Sequence, residues 1–187
     1  VALVHGPVRN KHGEPITTAV TGLNLHDIAR AVTTYGGAGY YLVTPLAAQQ
    51  ALVRRMMDHW REGHGADYNP TRKAALEGVR IADTLDDAVA DVAGREGTPP
   101  RIVATSARER PGVPRVDYAG LRADLAAGKG PVLLVFGTGW GLMAEVLEAA
   151  DVLLPPLSGP AGPGGFNHLS VRSAVSIVLD RLLGTGP

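Results

Sequence analysis

The chain has 187 residues, 45% hydrophobic and 19% charged, which suits one compact domain with a real core. Eighteen basic residues balance eighteen acidic ones, so the basic excess common in polyanion-binding domains is absent. Any nucleic-acid contact then needs a local patch, or one completed by two subunits. Without cysteine, disulfides and thiolate metal sites are excluded, and the composition is compatible with a reducing cytoplasm. No run approaches the roughly 18 apolar residues of a membrane span. The start, VALVHGPV, lacks a charged segment followed by a long apolar run, so no signal peptide is expected.

In chain order, VALVH (1–5) reads as a first strand. A helix is expected from Asn24 to Tyr35, with Leu25, Ile28, Ala29 and Val32 on one face and Asn24 or His26 at its start. YYLVT (40–44) is the next strand. Pro45 opens a helix through LAAQQALVRRMMDHWREG that stops at Gly63. VRIAD (79–83) is a strand, and Thr84 caps LDDAVADVAGRE. The strand RIVAT (101–105) and a helix over Asp117–Ala127 follow. VLLVF (132–136) leads through FGTGWGL into the helix MAEVLEAA. DVLLP (151–155) precedes the irregular PPLSGPAGPGG (155–165), and a last helix runs from about Leu169 to Leu183 and stops at Gly184. Such alternation predicts an α/β fold, a mostly parallel sheet flanked by helices on both faces, in one domain over 1–187.

Four places carry candidate chemistry. FGTGWGL (136–142) lacks the lysine of a triphosphate-binding loop. It also misses the dinucleotide fingerprint, because position 142 is Leu and the third glycine arrives early, at Gly141. What remains is a tight turn at the carboxyl end of a parallel strand, where main-chain groups approach a flat, uncharged ligand part such as adenine. Phe136 and Trp140 are alternatively plain core residues. In NLHDIARAVTTYG (24–36), Asn24 and Arg30 are six apart. Arg30 either holds a phosphate or pairs with Asp27 on the surface. Thr105 and Ser106, in ATSARER, either bond a ligand or close a turn. In FNHLSVRSAVSI (166–177), Asn, His and Ser gather where a helix begins. That helix is apolar almost all round, which calls for burial in this domain or against a second copy. The six histidines show no metal-ligand spacing, and no metal is expected.

In this order, N-x-x-x-x-x-R, strand–TSA, strand–FGTGWGL, and L-P with a glycine-rich loop into NHLSVRSA resemble the SPOUT superfamily of S-adenosylmethionine-dependent RNA methyltransferases. ALVH-P-V-N-K-G near the start, NPTRKAAL (69–76) and SVRSAVSIVLDRLL (170–183) are similar to a stand-alone bacterial branch of it. The resemblance implies a C-terminal trefoil knot over roughly 101–184, an exception to the rule that chains do not thread loops. It implies S-adenosylmethionine held by three loops: Thr105, Ser106 and Ala107; Phe136, Gly137, Thr138, Gly139, Trp140, Gly141 and Leu142; and Leu154, Pro155 with Asn167, His168, Leu169, Ser170 and Val171. It implies Arg30 as the catalytic residue with Asn24 in support, with His168 and His5 as candidate bases.

The expected partners are a tRNA or rRNA substrate and a second copy of the chain, with the site formed between subunits of a cytoplasmic homodimer. His168-Leu169-Ser170-Val171-Arg172 departs from the Ser-Leu-Asn-Val-Ser pattern of the ribose-methylating branch. Ribose 2′-O and a base nitrogen therefore stay open as targets. The competing readings are a non-catalytic RNA- or nucleotide-binding module and a nicotinamide-dependent oxidoreductase.

Overall fold

All six strands read from the sequence form in the computed structural model, which describes residues 1–160 and 166–186. They are β1 (Ala2–Val4), β4 (Tyr40–Val43), β5 (Val79–Ala82), β6 (Arg101–Ala104), β7 (Val132–Gly137) and β8 (Val152–Leu153). They make one sheet in the order β5-β4-β1-β7-β6-β8, with every pairing parallel. The helices are α1 (Gly22–Thr34), α2 (Ala47–Arg61), α3 (His64–Tyr68), α4 (Pro70–Glu77), α5 (Leu85–Glu96), α6 (Tyr118–Ala126), α7 (Ala144–Ala149) and α8 (Val171–Leu183). A small hairpin, β2 (Val8–Arg9) with β3 (Pro15–Ile16), lies outside the main sheet.

Strand alternation divides the core into two layers. Leu3, Tyr40, Leu42, Val103, Leu134 and Phe136 pack with α1, α2, α4, α6 and α8. Ala2, Val4, Tyr41, Val43, Ala104 and Val135 turn to the other face, against α5 and α7. Helices on both faces are what a parallel sheet requires, because each strand is otherwise left with one wet apolar face.

Several boundaries move for local reasons. α1 starts at Gly22 because Thr21 caps it, its Oγ1 accepting the Asn24 N–H at 3.2 Å, so Asn24 lies inside the helix. α2 begins at Ala47, after Leu46 rather than at Pro45. α8 begins at Val171, with Ser170 accepting from Ser173 N–H. Its apolar surface is not wholly covered within one chain: Val175, Val178, Leu179 and Leu182 are buried, while Val171 and Ile177 are half-buried and Leu183 is exposed. α4 has a clear start signal that periodicity alone does not show. Asn69 Oδ1 caps the Arg72 N–H at 3.0 Å and Pro70 sits in the first turn.

β8 has an unusual pair of neighbours. On one edge it pairs with β6. On its other side, Leu153 N–H donates to Pro114 at 2.8 Å and Val116 N–H donates to Leu153 at 3.1 Å. Both flanks of β8 are thus earlier parts of one continuous stretch. Leu179, 1% exposed among α8's core contacts, gives a direct test of the layer that holds this region. Leu179→Ala is expected to cost about 2–5 kcal/mol, read as a lowered midpoint in urea unfolding.

Candidate cofactor-binding site

The sheet changes winding direction between β1 and β7. β1, β4 and β5 lead outward on one side, and β7, β6 and β8 occupy the other. Open α/β sheets bind ligands at the carboxyl ends of strands at such a switch point. FGTGWGL leaves β7 there. The loops after β6 and β8 emerge beside it, because these three strands are neighbours and parallel. The segments 105–107, 138–142 and 154–155, far apart in sequence, therefore share one rim.

The glycines of the middle loop have distinct causes. A Cβ on Gly137 would lie 2.5 Å from Leu142 N, so the chain doubles back too closely for any side chain. Gly139 and Gly141 take φ of 58° and 99°, in the left-handed region. The turn is then clamped by the hairpin: Trp140 N–H donates to the Arg9 carbonyl and Arg9 N–H to the Gly141 carbonyl, both at 2.9 Å. Nothing in periodicity signals this clamp. Its only trace in the sequence is the V-R-N-K-H-G run, where Asn10 Oδ1 accepts from His12 and Glu14 N–H and builds the hairpin turn.

A polar chain lies beneath the loop. Thr138 Oγ1 donates to the Val4 carbonyl at 3.1 Å and touches Thr18 Oγ1 at 2.6 Å; Thr18 Oγ1 in turn lies 3.1 Å from His5 Nδ1. With Thr138's proton on Val4, Thr18 donates to Thr138 and accepts from a protonated Nδ1. The lone pair then sits on His5 Nε2, which is buried without a partner. His5 is 0% exposed, and burial pushes its pKa down to about 4 against opposing backbone contacts from Ala19 and Thr18. It is enclosed as a strut under the loop.

The remaining expected residues fall as follows. Phe136 is core, 2% exposed, whereas Trp140 is 57% exposed, so the core reading holds for the first and fails for the second. Thr105 donates to the Val135 carbonyl through both N–H and Oγ1 at 3.0 Å. Ser106 Oγ accepts the Arg108 N–H in a local turn. Leu154 is buried, its N–H on the Ala104 carbonyl, and Tyr118 O–H reaches the Pro155 carbonyl. Asn167 Nδ2 reaches the Ala107 carbonyl at 3.5 Å, joining the third segment to the first. His168 and Leu169 are exposed, the former against the Phe166 ring at 5.1 Å. Positions 161–165 of the long loop lie outside the described residues.

On α1, Asn24 is buried and Arg30 is exposed, lining a cavity of about 300 Å³ with Asp27, Tyr35 and Ser176 at the α1–α8 seam. Asp27 does not pair with Arg30; it binds Arg172 at 3.2 Å and so ties the start of α8 to α1. A larger cavity, about 440 Å³, lies elsewhere, between β5 and α5. Asp91 is satisfied within it: Tyr41 O–H donates to Asp91 at 2.6 Å and Arg95 meets the same carboxylate at 2.8 Å. Among the described residues, no group of three or more His, Cys, Asp or Glu could hold a metal, and no helix is long and apolar enough to cross a membrane.

A family model described as SAM-dependent RNA methyltransferase matches residues 1–184. The chain belongs to that family. Curated relatives include two tRNA (guanine-N(1)-)-methyltransferases, from Oleidesulfovibrio alaskensis and Nitratidesulfovibrio vulgaris. They are 42% and 45% identical over 98% of this chain, but the match spans only 41% of each of them. An uncharacterized protein of Aquifex aeolicus is 40% identical over 97% of this chain and 86% of its own length. Among solved structures, TrmJ from Z. mobilis ZM4 has a TM-score of 0.62 at 22% identity, covering 100% of this chain and 70% of that one. A TrmH/SpoU tRNA modifying enzyme of A. aeolicus has a TM-score of 0.53 at 20% identity, covering 97% and 71%. The fold is therefore that of the SPOUT methylases.

The cofactor of this RNA methyltransferase family suits the rim. The rim is built on a main-chain turn closed by Gly137, and its proposed contact residues Thr105, Ser106, Ala107 and Phe136–Leu142 carry no charge, as suits a ligand without phosphates. The strut beneath the loop has a pH signature. Well above pH 6.5 His5 is neutral in both states and its contribution to stability is complete. As pH falls from there to about 4, the unfolded chain gains a proton that the folded chain refuses, and stability drops by on the order of 3 kcal/mol. Urea unfolding at the two ends of that window checks it: His5→Gln should reduce the pH dependence, leaving the part due to the buried Val1 amino group and His26, and an unchanged slope would remove His5 as a source.

Proposed function

We propose that this chain binds S-adenosylmethionine in the three-loop rim and transfers its methyl group to a nucleotide of tRNA or rRNA. The single observation that carries the reading is the convergence at the switch point of the loops after β6, β7 and β8 on a glycine turn with no room for side chains. The proposed contacts are Thr105, Ser106 and Ala107, the main chain of Phe136–Leu142, Leu154 and Pro155, and Asn167–Val171. A C-terminal trefoil knot over roughly 101–184, within one domain covering 1–187, is part of the proposal. It is supported by β8 lying between β6 and the 114–116 segment, two parts of one earlier stretch.

Bound S-adenosylmethionine supplies an electrophilic methyl on a sulfonium, so the protein's work is placement and proton handling. Arg30 holds the acceptor nucleotide, through phosphate or by lowering the acceptor's pKa. Asn24 supports α1 from the buried side. His168, on the exposed rim, is the candidate base. His5 is enclosed and serves as a strut.

The chain spans about two fifths of the tRNA methyltransferases it matches, so their guanine-N1 specificity belongs to much longer proteins. It favours tRNA as the first substrate to try without deciding the atom. The altered His168–Arg172 segment keeps a base nitrogen level with ribose 2′-O. A cytoplasmic homodimer is also proposed, supported by the half-covered apolar face of α8. A non-catalytic binding module is the second reading, favoured by the same altered segment.

Isothermal titration with S-adenosylmethionine and S-adenosylhomocysteine tests the rim. Transfer of labelled methyl to bulk tRNA and rRNA, followed by nucleoside mass spectrometry, tests the chemistry. Arg30→Ala is expected to lower transfer by about 10²–10⁴-fold with cofactor affinity retained. Cofactor binding without transfer to any RNA would favour the binding module.

A further inference from the structure

The motif NPTRKAAL is not accounted for by the cofactor rim. Its parts have a local logic: Asn69 caps α4, Pro70 starts it, and the Arg72 guanidinium comes to lie 4.3 Å from the centroid of the Trp60 ring on α2. His26 of α1 meets the same ring edge-on at 5.6 Å. A Cβ on Gly65 would lie 2.6 Å from Trp60 Cε3, so α3 sits directly against the tryptophan. At the outer side of α3, His64 and Tyr68 stack at 6.4 Å with planes 29° apart, and Tyr68 is 79% exposed.

These contacts join into one strip across α1, α2, α3 and α4. It begins at Arg30, which lies four residues after His26 and so on the same face of α1. Burial lowers the pKa of His26; Arg72 and, more weakly, Arg30 lower it further, while Asp27 opposes them. Asp27, the acid nearest this end, is taken by Arg172. His26 Nδ1 and Arg72 Nε are both buried without a hydrogen-bond partner. An exposed tyrosine ring stacked on a histidine, on the short helix that packs against the Trp60–Arg72 pair, is not what folding requires. It is what a chain of unpaired bases on a phosphate backbone requires, since every base has a π-face and every phosphate a charge.

We infer that this strip, from Arg30 through Trp60 and Arg72 to the Tyr68–His64 stack, is the track for a single-stranded segment of the RNA substrate. A base stacks on Tyr68, and the backbone runs past Arg72 towards Arg30. The inference rests on the methyltransferase reading for the direction of the track, but its test does not depend on it. A neutral chain can bind RNA in this way through a local pair of cations, Arg30 and Arg72, rather than through net charge.

Fluorescence anisotropy with a fluorescein-labelled oligouridylate, a self-complementary RNA duplex as control, and calorimetric titration of S-adenosylmethionine form the test. Tyr68→Ala is expected to weaken oligouridylate binding by about five- to hundredfold, the range for one stacked base. Tyr68→Phe should keep wild-type affinity. Arg72→Gln should weaken binding evenly and lower the salt slope by about one. Tyr68 lies far out on α3, and cofactor affinity should not change in any of these variants. Equal oligouridylate affinity of wild type and Tyr68→Ala would overturn the track, as would preference for the duplex. If the wild type binds oligouridylate through Tyr68 but takes no cofactor, the track stands and the methyltransferase reading falls.

Discussion

The proposed cofactor site depends on one tight return of the main chain, from Gly137 to Leu142. The return is possible only because Gly137 has no side chain, and it persists because the hairpin holds it from outside through two hydrogen bonds to Arg9. Underneath, Thr138 ties it to the end of β1 through Val4, Thr18 and His5. A loop fixed from both sides presents its remaining main-chain groups with little entropy left to lose on binding. That suits a ligand recognised by shape and backbone rather than by charge.

The fixed loop also gives the rest of the sheet its purpose. Placing β7 between β1 and β6 brings three loops to one rim, and running 114–116 along the far side of β8 keeps the third of them in register. α8 begins where the third segment ends. Its Arg172 reaches Asp27 on α1, so the start of that helix is anchored to the helix that carries Arg30. The rim and the helix bearing the proposed catalytic Arg30 are thereby parts of one packed body.

Much of the architecture was legible from residues alone. The six strands have short β-branched runs with helical patterns between them, and burial on both faces follows from parallel pairing. The glycines at 137, 139 and 141 marked the tight turn after β7, two of them at positive φ. Less was legible where interactions are between residues distant in sequence. Trp140 reads equally as core or as surface, because a single aromatic after a strand has no periodic partner; it proves exposed while Phe136 is core. Arg30 and Asp27 look like a local ion pair at three-residue spacing, yet Arg172 takes the acid. α3 and α4 went unread because α3 is five residues long and its apolar surface is supplied by Trp60, from another helix.

What the sequence by itself determined is the set of local decisions. The cap at Thr84, glycines where φ is positive, and alternating apolar runs each act within a few residues, so they are visible without a fold. Its ordered motifs also carried the family. Only the tertiary structure decided that the hairpin clamps the glycine loop, that β8 runs between two parts of one earlier segment, and that Tyr68 stands out in water stacked on His64. Those are contacts between segments tens of residues apart. Their energies come from packing and hydrogen bonds that exist only once the chain has closed on itself, and no local pattern encodes them.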